Sequence, residues 1–246
     1  MQKIHNPKNE IILEKIKKLY EKNKKSDYIT QKIINEIDTI IQDNEYSQKE
    51  LIKILKKSLI TENQSTSILD GLIFSRLIEI KTKYIRIELK KFFPNGIINL
   101  QSSSEINYQP LQDLLINKNF QEADKLTQKI LCKLTPLNKN KQRNWLYFTD
   151  ISLIPSNDLL IIDLLWTTYS YGKFGFSIQR KIWQKQNKDW NKFLNQVGWI
   201  QNGKMRRYPQ EFIWTINAPK GHLPLFNQLR GIQVIDYLFK HVAWLQ

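Results

Sequence analysis

"IPSNDLLIIDLLWTTYS", residues 154–170, reads as a helix around which the rest of its domain must be built. Pro155 and Ser156 are residues that open helices. From Leu159 to Trp166 nearly every position is apolar, so the helix has no face to give to water and must be packed on several sides. Immediately after it, "YGKFGFSIQRKIW", residues 171–183, sets two glycines among aromatic rings. Gly172 suits the left-handed residue that closes the central helix, and Ser177 is expected to cap the next one.

Toward the C-terminus, "DWNKFLNQV" (189–197) continues as helix until Gly198 breaks it. Residues 198–224 mix glycine, proline and alternating aromatics and read as a long ordered loop. "IQVIDYLFKHVAWL" (232–245) reads as a last helix. Toward the N-terminus, "YQPLQDLLINKNFQEADKLTQKIL" (108–131) predicts two short amphipathic helices joined at Asn117 to Asn119, with Ala123 small enough for close helix contact. This resembles a tetratricopeptide hairpin, but the pattern occurs once, and about three copies are needed to bury a solenoid core.

The first part of the chain has another character. No glycine or proline interrupts Lys8 to Asp70, whereas all seven tryptophans lie at Trp145 or later. "EIILEKIKKLYEK", "YITQKIINEIDTIIQ" and "SQKELIKILKKSLI" carry Ile and Leu at helical spacing with lysines opposite, and Ser47 with Glu50 reads as a capping box. The segment 67–93 continues the bundle, with Gly71 a candidate break and Pro94, Asn95 and Gly96 an end. The expectation is an all-α protein with an N-terminal helical bundle over 1–95, a polar linker over 96–107 and a helical domain with long ordered loops over 108–246.

A formal charge of +15 and a pI near 9.7 attract anions of several classes: nucleic acid, acidic lipid, acidic protein or a carboxylated small molecule. Residues 1–106 hold 19 basic and 14 acidic side chains, residues 107–246 hold 19 and 9, so the excess lies mainly in the second part. The single cysteine, Cys132, excludes an internal disulfide framework and a cysteine zinc site. No signal core, transit-peptide character or membrane-length apolar run is evident, so the protein is expected to act where it is made.

Nucleophile, acid–base pair, P-loop, dinucleotide glycine fingerprint and metal-spaced cluster are all missing, so neither catalysis nor a metal site is expected. His222 reads as a structural ring in a Gly-His-Leu-Pro turn. Asp158 and Asp163, five apart on one helix, point to divergent faces and read as structural. Trp166, Trp183 and Trp190 lie on helices and read as core. Phe174 and Phe176 instead flank Gly175 in a tight loop, and Trp199, Met205, Tyr208 and Trp214 share the later loop with Lys204, Arg206 and Arg207. Rings beside cations on loops suit an external partner: the bases of a single strand, or a flat macrocycle with carboxylate arms. Composition does not choose between them.

The pieces "LQDLL…FQEADKLTQKIL", "ISLIPSNDLLIIDLLWTTYSYGKFGFSIQRKIW", "FLNQVGW" and "FIWTINAPKGHLP", in this order between Tyr108 and Pro224, resemble the genomes-uncoupled-four family of tetrapyrrole-binding proteins, regulators of magnesium chelatase in oxygenic phototrophs. The resemblance implies a non-catalytic helical core with a concave face for protoporphyrin IX or Mg-protoporphyrin IX, acting as carrier and activator of the chelatase in chlorophyll biosynthesis. It implies a partner in the large porphyrin-binding H subunit of the chelatase, with room for peripheral membrane association and no nucleic acid. A monomer is the default expectation, and the alternative functions are a basic single-stranded nucleic-acid-binding protein or a pure protein-interaction scaffold. The expected porphyrin-binding residues are Phe174, Phe176, Trp199, Met205, Arg206, Arg207, Tyr208 and Trp214, with Asn227 and Arg230 at the rim. Lys173 and Ser156 depart from the arginine and cysteine common in the family, and lysine lacks arginine's planar two-pronged grip. The Ile-, Lys- and Asn-rich composition points to a plastid-encoded algal copy, with a cyanobacterial cytoplasmic protein as the alternative.

Overall fold

In the computed structural model, residues 7–102, 104, 106–135, 145–225 and 232–245 are described. They form two compact units that divide between Ile98 and Asn99, and helices dominate both.

In the N-terminal unit, α1 (Pro7–Asn23), α2 (Gln31–Asp43), α3 (Glu45–Lys56), α4 (Ile68–Glu79) and α5 (Lys83–Phe92) follow one another, with a single π-turn over Lys57–Thr61. Helix α3 is the hub: it packs against α1, α2, α4 and α5. The core is aliphatic, with Ile37, Leu51, Leu55, Leu72 and Leu77 buried. Two local expectations are corrected. Ser47 does not cap α3; the Asn44 side chain accepts the Ser47 backbone N–H at 2.9 Å, so the helix begins at Glu45. Gly71 does not break the 67–93 segment. It is buried inside α4, and the chain turns at Ile80, whose extended backbone (ψ 133°) cannot continue a helix. A true capping box stands at the start of α4, where Ser67 and Asp70 exchange hydrogen bonds.

In the C-terminal unit, α6 (Gln109–Ile116), α7 (Phe120–Lys133), the single turn α8 (Phe148–Ile151), α9 (Ser156–Tyr169), α10 (Phe176–Lys185) and α11 (Trp190–Gln196) precede a two-residue hairpin, β1 (Ile200–Gln201) with β2 (Lys204–Met205). Then come α12 (Ile232–Phe239) and a 3-10 turn, Val242–Leu245. Helix α9 is the central helix that its lack of a polar face requires; it packs on α6, α10 and the terminal turn. Trp166 is wholly buried, stacked on Phe120 at 6.0 Å with its indole N–H on Thr127 at 3.0 Å. The last helix is split. His241 ends it, bonding the Ile154 carbonyl through Nε2 and accepting the Ala243 N–H at Nδ1.

The 96–107 stretch is shared between the units and is not a plain connector. Ile97 and Ile98 are buried, and the Ile97 carbonyl accepts the Thr66 hydroxyl at 2.8 Å. Ser102, Ser104 at 2.6 Å and Tyr108 at 2.7 Å all donate hydroxyls to the buried carboxylate of Asp158. A buried carboxylate must be satisfied, and three hydroxyls do so without a counter-charge.

Candidate functional site

The two loops on which the candidate residues lie are tied to one another by backbone and buried polar groups. The Gly175 N–H reaches the Leu223 carbonyl at 3.0 Å, and the Gly221 N–H reaches the Lys173 carbonyl at 2.8 Å. Gly175 has φ +130°, and a Cβ there would lie 2.7 Å from Thr167 Cγ2 and 2.9 Å from Asp163 Oδ1, so only glycine fits. Asp163 occupies that crevice because its Oδ1 accepts the Ser177 N–H at 2.8 Å. The orphan donor at the start of α10 is thus satisfied from α9, and Ser177, expected as the cap, lies inside the helix. Burial pushes the Asp163 carboxyl above its ordinary pKa despite this bond.

The 217–225 segment is fastened from several sides. Gln179 donates through Nε2 to the carbonyls of Gly221 (2.9 Å) and Pro224 (2.8 Å). Trp199 donates its indole N–H to the His222 carbonyl at 2.8 Å. Both ring nitrogens of His222 are occupied: Nδ1 pairs with the Val197 carbonyl at 2.7 Å, and Nε2 accepts the Ile213 N–H at 3.1 Å. That pattern is satisfied by the neutral imidazole, and burial together with the charge of Arg206 holds its pKa down. Lys173 donates to the Ile216 carbonyl at 2.6 Å, and burial lowers its pKa. A lysine at this position acts as one more strap across the loops. Pro209 and Pro224 follow cis peptide bonds.

On this frame the candidate residues fall into two groups. Phe174 and Phe176 are 0% exposed and Trp199 is 1% exposed. Phe174 meets Phe120 edge-on at 5.3 Å, and Trp199 meets Phe193 edge-on at 5.9 Å. These three rings pack inside the unit, behind the surface, because the glycine turns that carry them are pulled inward by the straps just described. The second group is at the surface. Met205 is 42% exposed on β2, Arg207 is exposed, and Tyr208 and Trp214 are half-buried in an edge-to-face pair at 5.9 Å. Trp214 is oriented by its N–H on the Pro209 carbonyl at 2.9 Å. Arg206 is half-buried and donates to the Glu211 carbonyl, whereas the Glu211 carboxylate accepts the Arg207 backbone N–H at 2.7 Å and leaves that guanidinium at the surface. Asn227 and Arg230 lie outside the described residues.

Two features were not expected from the sequence, and only the first of them carries no local signal. The first is Asp124 of α7, fully buried, which accepts the Leu225 N–H at 2.6 Å and so anchors the chain just before residue 226. Burial pushes its carboxyl up to about 7. Burial raises the Tyr208 phenol above its ordinary pKa, and the charges of Asp124 and Glu122 raise it further. The second is the hairpin under Met205. Asn202 (φ 51°) and Gly203 (φ 74°) make the left-handed pair that a two-residue turn requires, a signal the broad loop assignment passed over.

The surface group thus presents two rings, a thioether and a guanidinium on a rigid backing, and both ring nitrogens of His222 are already used. Such a face can cover a flat apolar ligand and pair with its anionic arms.

A family model described as GUN4-like matches residues 101–242. A relative named ycf53 in Pyropia yezoensis is 43% identical over 223 residues, which cover 91% of this chain and 93% of its own length. The Arabidopsis thaliana protein named tetrapyrrole-binding protein, chloroplastic, is 37% identical over 146 residues, 56% of this chain and 55% of its own. The solved structure of GUN4 from Chlamydomonas reinhardtii superposes with a TM-score of 0.55 at 38% identity, covering 60% of this chain and 96% of that one. The central apolar helix, the glycine-strapped aromatic loops and these matches lead to one conclusion: the chain belongs to the GUN4-like family.

Proposed function

We propose that the C-terminal unit binds protoporphyrin IX or Mg-protoporphyrin IX and that the protein acts as a non-catalytic carrier and activator of magnesium chelatase, through the chelatase H subunit, in an algal plastid. Family membership supports the tetrapyrrole class, and the name of the Arabidopsis relative points the same way. The observation that carries the reading is the surface set of Met205 and Arg207, exposed, with Tyr208 and Trp214, half-buried, held on a strapped loop frame. The macrocycle lies against Trp214, Tyr208 and Met205, and Arg207 pairs with a propionate. Asn227 and Arg230 remain rim residues of the proposal. Phe174, Phe176 and Trp199 contribute from behind, by keeping the frame stiff.

Covering roughly 300 Å² of apolar macrocycle at about 25 cal/mol per Å² yields about 7 kcal/mol. Each charge-assisted contact adds about 1.5–3 kcal/mol, and association removes several, so micromolar to sub-micromolar binding is expected. A carrier must release its load, and hydrophobic cover without an axial ligand bond allows that. Ycf53 relatives and a chloroplastic relative support a plastid site of action.

The experiment is a titration with a water-soluble porphyrin, following tryptophan fluorescence and the porphyrin absorbance band. Quenching that is largely lost in Trp214→Ala, with Arg207→Ala binding about tenfold more weakly, supports the site. Unchanged fluorescence and an unshifted band overturn the reading. Binding that survives both substitutions moves the ligand to another face.

A further inference from the structure

The N-terminal unit carries a groove whose lining includes none of the residues proposed for the tetrapyrrole. Helix α1 packs on α3, and its Ile16, Leu19 and Tyr20 are buried, but its first turns stand clear and Ile11 is 68% exposed. Between α1 and α2 lies a groove of about 650 Å³ over Ile11, Leu19 and Ile33. A second hollow, of about 520 Å³, adjoins it over Ile12 and Ile40, and Ile11 and Lys15 border both. Together they run beside α2 from Thr30, its N-cap, to Asp43, its last residue.

Cations rim this apolar floor. Lys15, Lys22 and Lys32 border it, and none has an ion pair among the described residues. Of the three carboxylates on its border, Glu14 is held by Lys18 at 2.7 Å and Asp43 accepts the Asn44 side-chain amide at 2.6 Å, while Glu36 has no ion pair among the described residues. The polar groups at the end of the groove are occupied by its own helices: the Thr30 side chain accepts the Ile33 N–H, and Asn23 donates to the Leu19 carbonyl. An extended segment laid here finds no backbone partners, so an occupant must satisfy its own backbone, and a helix does so. The floor has no aromatic platform for the bases of a single strand. A second copy of this unit brings like charge to like, since residues 1–98 hold 19 basic and 13 acidic side chains.

From this geometry we infer that the α1–α2 groove is a docking site for an acidic amphipathic helix of another polypeptide. Its apolar residues, at i, i+3/i+4 and i+7, cover Ile11, Leu19 and Ile33, and flanking Asp or Glu side chains meet Lys15, Lys22 and Lys32. A groove as long as the 13-residue α2 spans about 20 Å and takes about four helical turns. The inference is independent of the tetrapyrrole proposal.

The test uses the full chain and two fluorescein-labelled helical peptides of about fifteen residues. One carries leucines on one face flanked by glutamates, and the other carries lysine at every glutamate. Fluorescence anisotropy is expected to show micromolar binding of the acidic peptide, weakened by added salt, with the lysine peptide at least about tenfold weaker. Lys15→Glu/Lys22→Glu/Lys32→Glu is expected to reverse that preference, and Ile11→Asp to weaken the acidic peptide about tenfold. Porphyrin titration should be unchanged in both. Circular dichroism checks folding; if the triple variant unfolds, Lys32→Glu alone and Ile11→Asp decide. Equal binding of the two peptides, or variants that bind the acidic peptide as the parent does, overturns the inference. So does a dimer in sedimentation velocity that Ile11→Asp dissolves, or displacement of the peptide by single-stranded RNA.

Discussion

Among the described residues the N-terminal unit buries five polar or charged side chains: Ser47, Glu50, Ser58, Asp70 and Ser75. The C-terminal unit buries thirteen, and those that hold the candidate loops, Asp124, Asp163, Gln179 and His222, bond to backbone far along the chain. The N-terminal unit orders itself by covering aliphatic stripes, a process that tolerates local repacking. The loops of the C-terminal unit have little regular structure, so each turn needs a named partner for its backbone. Order in the candidate loops therefore comes from polar straps, at the cost of desolvating them.

The largest effect is expected from Gly175→Ala. The new Cβ must displace Thr167 and Asp163 at a backbone angle that suits glycine alone, and the expected loss is about 3–5 kcal/mol in urea denaturation. A loss under about 1 kcal/mol would mean that the loop yields. Next in size, His222→Ala leaves the Val197 carbonyl and the Ile213 N–H without partners, for about 2–3 kcal/mol.

A smaller effect, with a pH signature, is expected at Asp124. Its folded pKa of about 7 lies above the ordinary 3.8, so the folded state holds a proton that the unfolded state has released. Its contribution to stability is therefore fully present below about pH 4 and is lost as pH rises to about 7. His222 and His241, whose pKa values burial lowers, act in the opposite sense at acid pH. The difference between Asp124→Asn and the parent isolates the carboxyl. The variant is expected to be more stable by about 1–2 kcal/mol at pH 8, with the advantage shrinking toward pH 5, as thermal unfolding at the two pH values will show. An advantage independent of pH would place the charge elsewhere. The smallest effect tests the N-terminal unit: Asn44→Ala, which removes the cap of α3, is expected to cost about 1 kcal/mol in thermal melts, and no loss would restore Ser47 as the cap.

Helix α9 could be read directly, because an apolar run with no polar face has one physical solution. The amphipathic helices of both units could be read for the same reason. Local competition was harder: Asn44 and Ser47 are both good caps, and only the backbone path decides which oxygen meets the free N–H. The candidate rings show the limit most clearly. Phe174, Trp199 and Trp214 all stand in glycine- or proline-rich segments beside cations, yet the first two are interior and the third is at the surface. Nothing local distinguishes them. The distinguishing bonds run from Gly175 to Leu223 and from Trp199 to His222, across 48 and 23 residues.

The order of residues by itself determined a helical protein in two parts, a central buried helix, a basic surface and a family of ligand chemistry, because periodicity, charge and motif are properties of neighbouring residues. Tertiary structure alone decided which rings lie at the surface, that Lys173 is a strap, and that a carboxyl on α7 holds Leu225. Those outcomes depend on bonds between distant segments, whose strength is set by burial that exists only once the chain has closed around them.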